Sequence, residues 1–456
     1  MTTRMDGLEQ TSLFAKNLRM MITVSEASRY RILAEGLPWL DLANIANYWR
    51  SKQINIHNGR PMNLRLHLGA CIAQSMNGWT DRETEDMVKY HAGVKVLCGL
   101  ENSSESIDHT SIESFRNQVG KEGMQSLNQV IVQVALKNGF TDTSICASDT
   151  TVQEAPIAYP TEVGHMKNIA GKLAKLAKGL GRSFQKKLLP LSEKVGKLFT
   201  EIRLFTRGKG EKIADKKKEL SKKLHCAVTD MTEIFWKNVD GLKGKAKEKV
   251  QEEIRFYEGI LLQIKTWLNT GFHPEGKIVS LWEKTARAIS KGKASSPVEF
   301  GRRWIISIFK NGYTTGTTTD IGAGNDLKII PEALMNFFEI AGELPRILIY
   351  DRGADSTDNH EFVQAVGIQQ NAIFCKGKES LPHLSDRDGY RDTALQYRAA
   401  NEAAIATLKH PRYKFNKPNA KSTEACALKG HAAMMGANLN RLIRDFKVTQ
   451  MQPMQV

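Results

Sequence analysis

The chain has 456 residues, 41% of them hydrophobic and 25% charged, proportions ordinary for a soluble globular protein of two or three domains with at least one large core. No apolar run approaches the roughly 20 residues of a membrane span, and the first residues, MTTRMDGLEQ, do not read as a signal peptide. The formal net charge of +16 favours a polyanionic partner, nucleic acid first and an anionic membrane surface second.

Residues 1 to about 140 read as helical. NLRLHLGACIAQSM (63–76) spaces Leu64, Leu66, Leu68, Ile72 and Met76 as a helix does. TDRETEDMVKYH (80–91) opens with Thr80 and carries Glu83 three residues on, a capping box. DHTSIESFRNQVG (108–120) has Thr110 or Ser111 near its cap and Gly120 at its end. Such a run of short helices with basic residues suits a helix-turn-helix DNA-binding domain, or equally a helical packing or dimerisation domain.

ICASDTTVQE (145–154) alternates as a strand, with Ile145, Ala147, Asp149 and Thr151 on one face. Asp149 therefore shares a face with Ile145. Either the strand is a solvated edge or the acid is held there for a ligand such as a metal ion, since a buried acid without a partner is costly. Beyond it, residues 161–250 hold 23 Lys and Arg against 10 Asp and Glu, an excess of 13 of the chain's 16. Leu, Val, Ile and Phe recur between the lysines at helical spacing, which predicts a block of amphipathic helices ending near Asn269 and Gly271.

Strand signals return at 298, where two β-rich runs flank KNGY, a hairpin turn signal. PEALMNFFEIAG (331–342) reads as a helix, RILIYD (346–351) as a buried strand, TDNHEFVQAVG (357–367) as a helix, NAIFC (371–375) as a strand and TALQYRAANEAAIATLKH (393–410) as a long helix. The order predicts a mixed α/β domain with the basic block inserted after its first strand. Six cysteines (Cys71, Cys98, Cys146, Cys226, Cys375, Cys426) form no C-x-x-C pair and read as reduced thiols of a cytosolic protein. The eleven histidines show no metal-ligand spacing, and none is assigned to a metal.

Asp351 closes the RILIYD strand, where ligands bind in open α/β sheets, although Asp is also common in strand-to-helix turns. At 100° per residue Arg398, Glu402, Ile405 and Lys409 share a helix face flanked by Leu395 and Leu408, opposite Ala400, Ala403 and Thr407. They form either an inward charged group or an ordinary surface pair at i, i+4. Asp142, Glu154, Asp355, Asp386, Asp388 and Asp392 are passed over; Asp355, already in the turn, is the closest rival to Asp351. Three acids on one domain without His or Cys companions suit Mg²⁺ or Mn²⁺. Two such ions activate a water or a 3′-hydroxyl at a phosphodiester, and phosphate is also what the basic block attracts.

The runs SDTTVQEAPIAYPTE, IYDRGADS and RAANEAAIATLK resemble the DDE transposases of bacterial insertion sequences. The resemblance implies an RNase H-like fold with Asp149, Asp351 and Glu402 as catalytic and metal-binding triad. The family's third motif is Tyr, two residues, Arg, three residues, Glu, six residues, Lys. Arg398, Glu402 and Lys409 match it, Leu395 stands at the tyrosine position, and Tyr397 lies two residues away. The expected organisation is a helical domain at 1–140 that reads terminal inverted repeats, a catalytic domain at 141–162 and 272–446, a basic helical insertion at 163–271 and a tail at 447–456. The implied activity is DNA cleavage at element ends with two Mg²⁺ or Mn²⁺ ions and transfer of the 3′-hydroxyl into target DNA, by a homodimer on DNA in the prokaryotic cytoplasm. The rivals are a nuclease without strand transfer and a non-catalytic DNA-binding protein.

Arg352, Arg398 and Lys409 are expected at DNA phosphates or as counter-charges to the triad. Lys172, Lys175, Lys186, Lys187, Lys216, Lys217 and Lys218 of the basic block are expected along the DNA backbone. A solvated helix face and a membrane-surface helix are the alternatives for that block. Trp236 and Trp267 suit core packing, or stacking on a flipped base.

Overall fold

The computed structural model of the chain describes residues 24–451 apart from 57–60, 102, 206–209, 243, 275, 294–295, 321–327, 378, 386–388 and 421. It divides into two compact units, residues 1–156 with 302–456, and residues 157–301. The whole is mixed α/β, mostly helical around a mixed sheet.

The first unit begins with helices α1 (Arg29–Gly36), α2 (Trp39–Gln53), α3 (Leu64–Asn77), α4 (Asp81–Tyr90), α5 (Ala92–Leu97) and α6 (His109–Lys137). The capping box forms at α4: Glu83 N donates to Thr80 Oγ1 (3.2 Å) and Thr80 N to Glu83 Oε2 (2.6 Å). At α6 the cap is Asp108, and Thr110 and Ser111 lie just inside it, their N–H groups both donating to its carboxylate. Gly120 does not end α6. It breaks it at φ 72°, ψ −176°, a conformation favouring glycine, and the helix resumes to Lys137 because Met124, Leu127, Val130 and Ile131 continue a buried stripe.

The strands and remaining helices of this unit are β1 (Ile145–Glu154), β3 (Ser296–Ile308, entering from the second unit), β4 (Thr314–Thr318), α11 (Ile330–Ala341), β5 (Ile347–Tyr350), α12 (Thr357–Ala365), β6 (Gln370–Ile373), α13 (Tyr390–Leu408) and α14 (Thr423–Met451). Neighbours run β4, β3, β1, β5, β6, with β1, β5 and β6 mutually parallel and β3 antiparallel to β4. Asn311, at φ 63°, turns the chain between β3 and β4 at the KNGY signal.

Strand alternation sends the sheet's side chains into two cores. Cys146, Leu348 and Tyr350 join the large core built with α1–α6, α11 and α14. Ile145, Ala147, Ile347 and Ile349 join a smaller one with Ala394 and Ala404 of α13. β1 is thus a central strand covered on both sides, not a solvated edge. The helices before residue 140 and the sheet share one continuous core.

The second unit holds α7 (Glu162–Leu180), α8 (Arg182–Phe205), α9 (Glu211–Asn238), α10 (Gly244–Thr270) and β2 (Arg287–Lys293), which pairs antiparallel with the first part of β3. Its helices enclose a separate core including Leu173, Leu224, Val228, Phe235, Ile254 and Ile264. The apolar stripe of each basic helix meets its neighbours there, leaving the lysines outside.

Candidate active site

The register of β1 on β5 decides the first two acids. Ile145, Cys146 and Ala147 pair with Ile347, Leu348 and Ile349. Extended two steps, the same offset sets Asp149 beside Asp351 at the carboxyl ends of adjacent parallel strands, the end of an α/β sheet where ligands bind. Asp351 leaves the strand, and its carboxylate accepts the Gly353 N–H (2.9 Å). A 3₁₀ turn, Arg352–Ala354, follows.

Helix α13 lies over the same face of β1. Its buried residues are Ala394, Asn401, Ala404 and Leu408, so small side chains bring it against Ile145 and Ala147. The inward face is one residue away from the expected one: Leu395 is 49% exposed. Glu402 is exposed at the margin of the contact and Arg398 is half-buried, its guanidinium 4.8 Å from the Phe374 ring centroid. Tyr397 packs, partly buried, on the small core.

These elements bring Asp351 and Glu402 within electrostatic reach of Asp149. Burial pushes the Asp149 carboxyl up to about 6, helped by the charges of Asp351 and Glu402 and opposed by the Thr150 N–H (2.6 Å) and Arg398. The three are more open than a closed metal cage. Among the described residues, the group of three His, Cys, Asp or Glu ligand atoms all within 4.8 Å of one another is a different one, His360, Cys375 and His383.

Two groups are not evident from the sequence. Arg303 of β3 is buried, donates to Thr150 Oγ1 (3.0 Å) and feels the charges of Asp149 and Asp351. Its one signal is chemical: an arginine inside an apolar strand needs an acidic partner. The second is the His360–Cys375–His383 group. Its spacings of 15 and 8 residues match no motif, so only the fold assembles it. Burial and Asp355 push the Cys375 thiol up to about 11, which leaves it neutral and a poor nucleophile.

Three of the passed-over acids have structural partners. Asp142 accepts from Lys310 (2.7 Å), Glu154 pairs with Lys417 (3.3 Å), and Asp355 binds His360 (3.1 Å) and the Lys376 N–H (2.9 Å). Asp392 is exposed in the first turn of α13, and Asp386 and Asp388 lie outside the described residues.

Arg352 is exposed beside Asp351, and Lys409 caps α13, half-buried. In the second unit Lys175, Lys186 and Lys218 are exposed and Lys217 is half-buried. Lys172 lies 5.1 Å from the Trp282 ring centroid, while Lys187 donates to Asn238 (2.9 Å) and Lys216 to Glu219 (3.3 Å). Trp236 and Trp267 both pack on that unit's core, and Trp236 Nε1 donates to Glu258 (2.6 Å). Among the described residues no helix is long and apolar enough to cross a membrane.

Residues 18–118, which take in α1–α5 and the start of α6, match the family described as Transposase domain (DUF772). No curated protein and no solved structure matches the chain. That match is consistent with the insertion-sequence transposases that the chain's motifs resemble.

Proposed function

We propose that the chain is a DDE transposase of an insertion sequence, with an RNase H-like catalytic core and Asp149, Asp351 and Glu402 as its triad. The observation that carries it is the strand register that aligns Asp149 with Asp351 under α13, together with the raised Asp149 carboxyl. The charges of Asp351 and Glu402 raise the proton affinity of Asp149, and a divalent cation among the three oxygen donors would relieve that repulsion. The donors fit Mg²⁺ or Mn²⁺, held by these three carboxylates; the chemistry such ions supply when bound is activation of an attacking oxygen and stabilisation of the leaving one. The strand order β4, β3, β1, β5, β6, with the acids on β1, after β5 and on α13, also supports an RNase H-like assignment.

The chain's own residues then orient the DNA. Arg398, packed on Phe374, holds a cation beside Asp149 at a fixed place, suited to a phosphate flanking the scissile bond. Arg303 holds a buried positive charge under the strand ends and limits the repulsion between Asp149 and Asp351. In cleavage, water attacks the phosphorus and the 3′-oxygen of the element end leaves as a hydroxyl. In transfer, that hydroxyl loses its proton as it attacks a target phosphodiester, whose own 3′-oxygen leaves. The helices of residues 18–118 and the lysines of the second unit would bind the duplex, and two element ends call for two copies of the chain.

Purified full-length protein, a labelled element end, a target plasmid and Mg²⁺ test this. Joined products are expected, and Asp149→Asn, Asp351→Asn and Glu402→Gln should each lower cleavage by at least about 10³-fold while leaving DNA affinity within a few-fold. Cleavage without joining indicates a nuclease. Wild-type rates in all three variants would reject the triad.

A further inference from the structure

His360 projects from α12, Cys375 lies two residues beyond β6, and His383 sits in the loop before α13. One ligand atom from each falls within 4.8 Å of the others. Cys375 Sγ is 3.6 Å from His360 Nε2, and Asp355 Oδ1 is 3.1 Å from the same nitrogen. The His360 and His383 rings lie 4.0 Å apart, centroid to centroid.

A thiol, an imidazole and a carboxylate in contact suggest a nucleophile relay, but a relay places thiol and carboxylate on opposite ring nitrogens. Here both converge on Nε2, and it is the thiol and the two imidazoles whose ligand atoms face one point. In a tetrahedral zinc site, Zn–S of about 2.3 Å and Zn–N of about 2.0–2.1 Å put sulfur and nitrogen about 3.6 Å apart. The Sγ–Nε2 spacing of the cluster matches that value. A thiolate with imidazoles also selects zinc over the hard cations that suit the carboxylate triad.

We propose that His360, Cys375 and His383 bind one Zn²⁺ that ties the loop after β6 to α12, the helix that follows the turn carrying Asp351. The scaffold is already set. Cys375 N donates to Ser380 O (2.8 Å), closing the loop, and Lys376 N donates to Asp355 Oδ2 (2.9 Å). Asn371 Nδ2 lies 3.0 Å from His360 Nδ1, the ring nitrogen away from the cluster. Binding releases the Cys375 thiol proton. Three protein donors leave the fourth position to water, and none of the three belongs to the triad.

Cobalt(II) added to the full-length, metal-stripped chain is the probe, because a thiolate-to-cobalt absorption band reports sulfur ligation and is blind to an all-carboxylate site. The band should saturate at one ion per chain, vanish on adding Zn²⁺ and persist in Asp149→Ala. Cys375→Ser should abolish it. His383→Ala, a change at an exposed side chain that leaves folding intact, should weaken cobalt binding at least ~10-fold. A wild-type chain without the band, a band that survives Cys375→Ser, full affinity in His383→Ala, or loss of the band in Asp149→Ala would each overturn the assignment.

Discussion

Asp149 shows how one residue can oppose stability. A carboxyl raised from its usual value to about 6 holds its proton more tightly in the folded chain than in the unfolded one. The folded state therefore loses stability as pH climbs from about 4 to about 6, and the loss is complete above that. In metal-stripped protein, Asp149→Asn should raise stability by on the order of 1–3 kcal/mol at pH 7 and leave it unchanged near pH 3.5. Thermal unfolding of both proteins at the two pH values measures the difference. An equal gain at both would assign the effect to packing. The same residue was the most legible part of the site, because an acid in phase with Ile145 and Ala147 already contradicts an ordinary strand core.

At the scale of elements, helix contacts depend on small residues. A Cβ on Gly436 of α14 would lie 2.1 Å from the Ser75 carbonyl oxygen of α3, so the two backbones touch only because no side chain intervenes. Gly436→Ala should cost about 1–3 kcal/mol, read as a lower denaturant midpoint with an unchanged slope. Gly171→Ala in α7, where the added carbon meets open space, should cost nothing. The inward face of α13 has the same origin. Hydrophobicity points to Leu395, but the sheet is approached through Ala394, Asn401 and Ala404, because a helix comes closest along its smallest side chains. That close approach keeps Glu402 at the edge of the contact.

For the whole molecule, charge and core are separately organised. The second unit has its own apolar core and most of the positive excess, with lysines on its outer helix faces. If those faces follow a DNA backbone, changing Lys216, Lys217 and Lys218 together to Gln should weaken binding equally on all sequences. The slope of log affinity against log salt should fall by up to about 3, near 0.9 for each phosphate no longer neutralised. Binding measured over a salt series decides, and an unchanged slope would make these lysines a solvated face.

Strands β1 and β3–β6, helices α11–α13, the capping box at Thr80, the turn at Asn311 and the identity of the acids worth testing were legible in the amino-acid sequence, whereas α14, which runs to Met451 through part of the expected tail, was not. They depend on local periodicity and on the chemistry of single residues, which need no partner to be read. Tertiary packing settled the rest: the register that aligns Asp149 with Asp351, the core shared by the first helices and the sheet, Arg303 beneath the strand ends, and the meeting of His360, Cys375 and His383. Each brings together residues remote in the chain. Such meetings are set by which strands pair and how closely helices can approach, and no spacing within the sequence encodes them.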